Sequence, residues 1–110
     1  MSSDAFKQYL AKLIAEYRSG LPGKLAEIDA LGQAVIGGGA NMELLADLQR
    51  KLHTLAGSAK TFGFPVVSMA ARAAENFLDP CCDSGAMPGE AERDSLRTLL
   101  DALGKSAGSQ

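Results

Sequence analysis

Glycine and proline cut this chain at a few places, and the stretches between the cuts repeat with the period of an α-helix. Gly37, Gly38 and Gly39 stand together, and three consecutive glycines do not hold a helix against their backbone entropy, so the chain turns there. Gly63 and Pro65 pair a C-terminal cap with a residue that suits the first turn of a new helix. The segment 79–89, DPCCDSGAMPG, carries two prolines and two glycines and no periodicity, and reads as a connecting loop. Gly20 and Pro22 mark a further break nearer the start.

The spacing predicts five helical segments. Ser2 and Ser3 can cap the first, over 4–19, where Phe6, Leu10, Leu13 and Tyr17 form one sticky face. The second, over 21–36, puts Leu25, Ile28, Gly32 and Val35 on one stripe. Asn41 is the N-cap of the third and longest, which continues to about Phe62 with Glu43 and Asp47 near its positive end. The fourth, over 65–78, has Val66, Ala70, Ala73 and Phe77 at helical spacing. The last, over 90–103, shows Leu96, Leu99, Leu100 and Leu103, and 104–110 reads as a frayed tail. With short connections and no strand pattern, the expectation is an all-α, antiparallel four-helix bundle, with an additional N-terminal helix lying across or extending one end. One domain, 1–110, accounts for the whole chain, and there is no internal repeat.

Composition narrows the function classes. Hydrophobic residues are 46 % of the sequence but aromatics only 5 %, with no Trp, so the core is aliphatic and Ala-rich, as suits packed helices. A net charge of -2 with no basic cluster argues against nucleic-acid binding. No run of 18 apolar residues exists and the N-terminus lacks the apolar core of a signal peptide, so no membrane role and a cytoplasmic location are expected. Cys81 and Cys82 are neighbours, a poor arrangement for a disulfide, and two thiols with one distant His fall short of a four-ligand zinc site. They read as free loop thiols.

The chemistry sits in LHTLAGSAKTFG, residues 52–63, which holds the only histidine of the chain, His53. At about 100° per residue, Leu44, Leu45, Leu48, Leu52, Leu55, Ala59 and Phe62 occupy an arc whose centre lies about 140° from His53. His53 therefore faces away from the core, which sets aside the commoner fate of a lone histidine, satisfaction inside it. Its neighbours are Gln49, Arg50, Ala56, Gly57 and Lys60. Gly57 inside a helix costs about 1 kcal/mol relative to Ala, and close approach of another surface, packing of another helix against it or neutral drift would account for it. Helical side chains lean toward the N-terminus, so Lys60 would run back over Gly57 toward the imidazole. A free imidazole, with an unperturbed pKa of about 6.5, is a good nucleophile near neutral pH. The chain has no second His, no Ser or Cys placed with a base, no carboxylate pair on this face, no phosphate loop and no metal-ligand spacing. Phosphoryl chemistry at His53 would have to borrow Mg²⁺ and charge stabilisation from a partner.

His53, Leu55, Gly57, Ser58, Ala59, Phe62 and Gly63 resemble the phosphoacceptor motif of histidine-containing phosphotransfer (HPt) domains, and the helix order around them follows the same family. The resemblance implies a carrier with no autonomous catalysis and no cofactor of its own, working in a two-component phosphorelay. His53 would take a phosphoryl group, through Nε2, from the aspartyl phosphate of a response-regulator receiver domain and pass it to another receiver aspartate, with Mg²⁺ held by the receiver. Receivers, that of a hybrid histidine kinase among them, would be the partners. Ala56 and Gly57 would give clearance, and Gln49 and Arg50 would lie at the contact rim. The family commonly has a lysine where this chain has Ala56, and Lys60 would supply the counter-charge instead.

Two other readings stand beside this one: an interaction module that covers a receiver or a histidine-kinase domain without carrying phosphate, and a small-molecule enzyme with His53 as general base, which lacks an orienting carboxylate. Met1 and the polar end near Gln110 suggest a free-standing protein. A monomer is expected, since the exposed face around His53 is polar and small.

Overall fold

The computed structural model describes residues 2–109, with side chains from Ser3 to Gly108. Met1 and Gln110, on which the free-standing reading leans, and the capping side chain of Ser2 lie outside the described residues. Four helices follow in order: α1 (Ser2–Ile36), α2 (Met42–Thr61), α3 (Pro65–Ser84) and α4 (Glu90–Ser106), closed by a 3₁₀ turn over Ala107–Ser109. α1 packs on α2 and α4, and α3 packs on the same two, so the helices form a square of antiparallel neighbours. Among the described residues there is no strand, and no helix is long and apolar enough to cross a membrane.

The separate N-terminal helix is a correction. Residues 4–19 and 21–36 belong to one continuous helix that carries Pro22 inside it. A proline there removes one backbone hydrogen bond and crowds the carbonyl four residues earlier, at a cost of about 3 kcal/mol. Against that stands one uninterrupted buried stripe, Tyr17, Leu21, Ile28 and Val35, whose spacing of four, seven and seven keeps phase across the proline. Breaking the helix would rotate half of that stripe out of the core. Gly32 has its own reason on the same face, since a Cβ there would overlap the Leu100 side chain of α4.

α1 is 35 residues long whereas α2 and α3 have 20 and α4 has 17. At about 1.5 Å per residue it overhangs its neighbours by roughly 20 Å, which gives the molecule its 56 Å long axis. On the overhang Phe6 and Tyr9 are 60 % exposed and Leu10 40 %. The expected sticky face of the first segment is thus buried only from Tyr17 onward. Tyr17 stacks on Phe62 with ring centroids 4.7 Å apart, and its hydroxyl is 2.7 Å from Ser58 Oγ, which pins α1 to the end of α2.

α2 follows the sequence closely. Asn41 Oδ1 accepts the Leu44 N–H at 2.9 Å as N-cap, and Leu45, Leu48, Leu52, Leu55 and Ala59 are buried while Leu44 and Phe62 are partly covered. Gly63, at φ 85°, turns the chain, and Pro65 opens α3. α3 departs from expectation twice. Its buried stripe is Val67, Ala71, Ala74, Leu78 and Cys81, one residue on from the expected Val66, Ala70, Ala73 and Phe77, of which Val66 and Ala73 are exposed. The helix also runs through Pro80 to Ser84, because stopping at 78 would leave Cys81 out of the core; Gly85, at φ 73°, then ends it by donating its N–H to the Cys81 carbonyl.

Cys81 and Cys82 therefore lie on a helix, free of any disulfide, with Cys81 buried. Burial pushes both thiols up, aided at Cys81 by the Glu92 carboxylate and at Cys82 by Cys81 and the nearby aspartates. The expected frayed tail is a further correction: α4 continues to Ser106, which is buried, and Ala107 packs on the core.

Candidate functional site

The turn between α2 and α3 sets the register of the site. His53 and Glu75 each lie eleven residues from Phe64, so the antiparallel helices bring them level. His53 Nδ1 is 2.6 Å from Glu75 Oε2. The His53 side chain is 67 % exposed and that of Glu75 only 10 %. The other Glu75 oxygen accepts from Arg72 Nη1 at 2.7 Å, and the same guanidinium nitrogen stands 3.5 Å from His53 Nδ1. Gln49 and Asp79, each fifteen residues from Phe64, repeat the pairing one turn away, with Gln49 Nε2 donating to Asp79 Oδ1 at 2.7 Å.

This arrangement fixes the imidazole chemically. A carboxylate only accepts, so Nδ1 carries the hydrogen and donates it to Glu75. In the neutral ring Nε2 then holds the lone pair; it has no hydrogen-bond partner among the described residues and sits on an exposed ring. Glu75 itself is stabilised by Arg72, which supplies the opposite charge and a second hydrogen bond that a buried carboxylate requires.

The expectation that no orienting carboxylate exists is overturned by Glu75, and neither it nor Arg72 was singled out from sequence. A signal was available: once the turn is set at Gly63 and Pro65, the residue level with His53 on the next helix is 75. The stripe expected on α3, Val66, Ala70, Ala73 and Phe77, leaves Glu75 on the far side of that helix, whereas the observed stripe, one residue on, brings it to α2.

The other expected site residues separate. Gly57 is exposed, and a Cβ built on it would meet nothing within 4 Å, so none of the described residues packs against it. Ala56 is a correction: it is fully buried, with Ser68 Oγ donating to its carbonyl at 2.6 Å, and it belongs to the α2–α3 interface rather than to a contact face. α3 covers that flank of α2, which a single-helix projection does not register. Gln49 is half-buried and tied to Asp79. Arg50 lies on the opposite flank, ion-paired with Asp47, lining a groove with Lys24, Glu27 and Thr54. Lys60 is exposed and makes no ion pair among the described residues; it shares an α2–α3 groove with Met69 and Arg72. No group of acidic, histidine or cysteine side chains among the described residues could hold a metal ion.

Comparison with known proteins gives one match: the family model described as the Hpt domain covers residues 5–106. No curated protein and no solved structure matches the chain.

Proposed function

The chain belongs to the Hpt domain family, the histidine-containing phosphotransfer modules of two-component systems, and from that premise we propose that it is a phosphorelay carrier whose acceptor is His53 Nε2. The observation that carries the proposal is the exposed imidazole held by a buried carboxylate on one nitrogen, with the other nitrogen free.

The proposed donor is the aspartyl phosphate of a receiver domain. The Nε2 lone pair attacks phosphorus, the N–P bond forms as the acyl phosphate O–P bond breaks, and the receiver aspartate leaves as its carboxylate. The proton on Nδ1 stays in place, so the phosphorylated ring becomes an imidazolium. Glu75, 2.6 Å from Nδ1, stabilises that developing positive charge, and neutralisation of the phosphoryl oxygens would come from Mg²⁺ held by the receiver. Transfer to a second receiver reverses each step. Gly57 gives the receiver's loops room above the helix, and Gln49 and Arg50 lie at the rim of the contact.

Lys60 is the proposed counter-charge on α2 in place of the lysine that Ala56 lacks. If Lys60→Ala transfers as fast as wild type, the role passes from it. Monomeric state and cytoplasmic location are parts of the same proposal.

The test is to mix the protein with a phosphorylated receiver and Mg²⁺ and follow acid-labile, base-stable label. The label is expected on wild type and absent from His53→Gln with unchanged circular dichroism. No label from any of several receivers would instead favour an interaction module that covers a receiver or kinase surface without carrying phosphate.

A further inference from the structure

Two grooves flank His53, one between α1 and α2 and one between α2 and α3, and they differ in what their charges are already doing. On the α1 side, Lys51 is 3.5 Å from Glu27, Arg50 is paired with Asp47, and Lys24 lies 4.1 Å above the Tyr17 ring. Each cation there has a partner within the chain. On the α3 side a groove of about 490 Å³ is lined by Lys60 and Arg72, with no carboxylate among its lining residues. Lys60 has no ion-pair partner among the described residues, and Arg72 reaches to 3.5 Å from the His53 ring while it holds Glu75. The same groove carries Met69, which at 72 % is the most exposed large apolar side chain among the described residues.

From these asymmetries we infer that the receiver domain docks on the α3 side of His53, seating Met69 as its apolar anchor and presenting its phosphoryl group to Arg72 and Lys60. The inference rests on the relay reading above and adds which flank is used. The charges select this occupant: a phosphoryl dianion on its way to Nε2 meets Lys60, which has no ion-pair partner among the described residues, beside the Arg72 guanidinium that keeps its bond to Glu75, whereas every cation on the α1 flank is already engaged. An unbranched thioether in water is an adaptable contact whose burial is favourable against many surface shapes. Ala73 and Gly57, both exposed and small, leave the approach open between Met69 and the imidazole.

The experiment uses whichever receiver domain of a panel labels wild-type His53 fastest. Its affinity in the beryllofluoride form and its transfer rate are measured for wild type, Met69→Glu, Met69→Leu and Lys24→Glu. Phosphoramidate, a small donor that needs no docking surface, labels each variant in parallel. Met69→Glu is expected to weaken receiver binding on the order of tenfold or more, Met69→Leu to retain it, and Lys24→Glu to leave it within about twofold, while all four take phosphoramidate label equally. Unchanged binding by Met69→Glu, or a larger loss in Lys24→Glu than in Met69→Glu, overturns the α3-side assignment and leaves the relay intact. Wild type that takes phosphoramidate label but none from any receiver overturns the relay reading and this inference with it.

Discussion

The two faces of α2 are built from the same twenty residues and obey different rules. On the inner face Leu45, Leu48, Leu52, Leu55 and Ala59 are at most 2 % exposed, and every one of them serves the fold. On the outer face His53, Gly57 and Lys60 are exposed, and two of the three do nothing for the fold: Gly57 weakens the helix with nothing packed on it, and Lys60 is unpaired among the described residues. A helix can carry an idle outer face because the inner one supplies most of its stability through burial. Ala56 and Glu75 mark the border, buried by position yet within one turn of the acceptor or in contact with it.

That contrast can be broken from both sides. The largest effect belongs to the inner face: Leu52→Ala should cost about 2–5 kcal/mol, read as a lower urea midpoint with unchanged slope, and leave phosphoryl transfer per folded molecule as it was. Glu75→Ala tests the border. Hydrogen bonds to charged groups contribute about 1.5–3 kcal/mol, so acceptance of phosphoryl by His53 should slow on the order of 10–100-fold in single-turnover transfer. Phosphoramidate labelling should slow too, since the defect lies in the imidazole and not in docking. Ala56→Lys, which installs the residue common in the family, should destabilise by about 1–3 kcal/mol through overpacking against α3. If it melts like wild type, position 56 belongs to the outer face after all. The smallest effect is that of Gly57→Ala, which should raise stability by up to about 1 kcal/mol and slow transfer from a receiver while leaving phosphoramidate labelling untouched. A variant that gains stability without losing receiver transfer would show that clearance above His53 is not needed.

Much of this was legible along the chain. The Gly37–Gly39 break, the Asn41 cap, the Gly63 and Pro65 turn and the exposed face of His53 all follow from local rules and appear where those rules put them. The departures share one cause. Pro22 reads as the opening of a new helix and Pro80 as part of a loop because backbone propensity is local, but both helices continue since Leu21 and Ile28 on one, and Leu78 and Cys81 on the other, need a single phase to reach the core. Tertiary burial outweighed local propensity at both places. The carboxylate on His53 was missed for a related reason. It lies 22 residues away in sequence, and a glutamate on a helix reads as a solvated surface residue until the neighbouring helix is set beside it. Ala56 differs for the same reason, a residue exposed on its own helix and covered by the next.

The unequal lengths of the helices carry a consequence for the motions of the chain. A helix of about twelve residues is marginal in water on its own, and the turns of α1 before Leu13 have only their own hydrogen bonds and the junction at Tyr17 to hold them. Opening free energy is therefore expected to rise along one continuous helix, from its lowest around the exposed Phe6 and Tyr9 to its highest at Val35, where burial is complete. The long axis of the molecule is thus an expected gradient of cooperativity: amide exchange should be fastest near Phe6, by local opening, and near the glycine turn should need unfolding of the bundle.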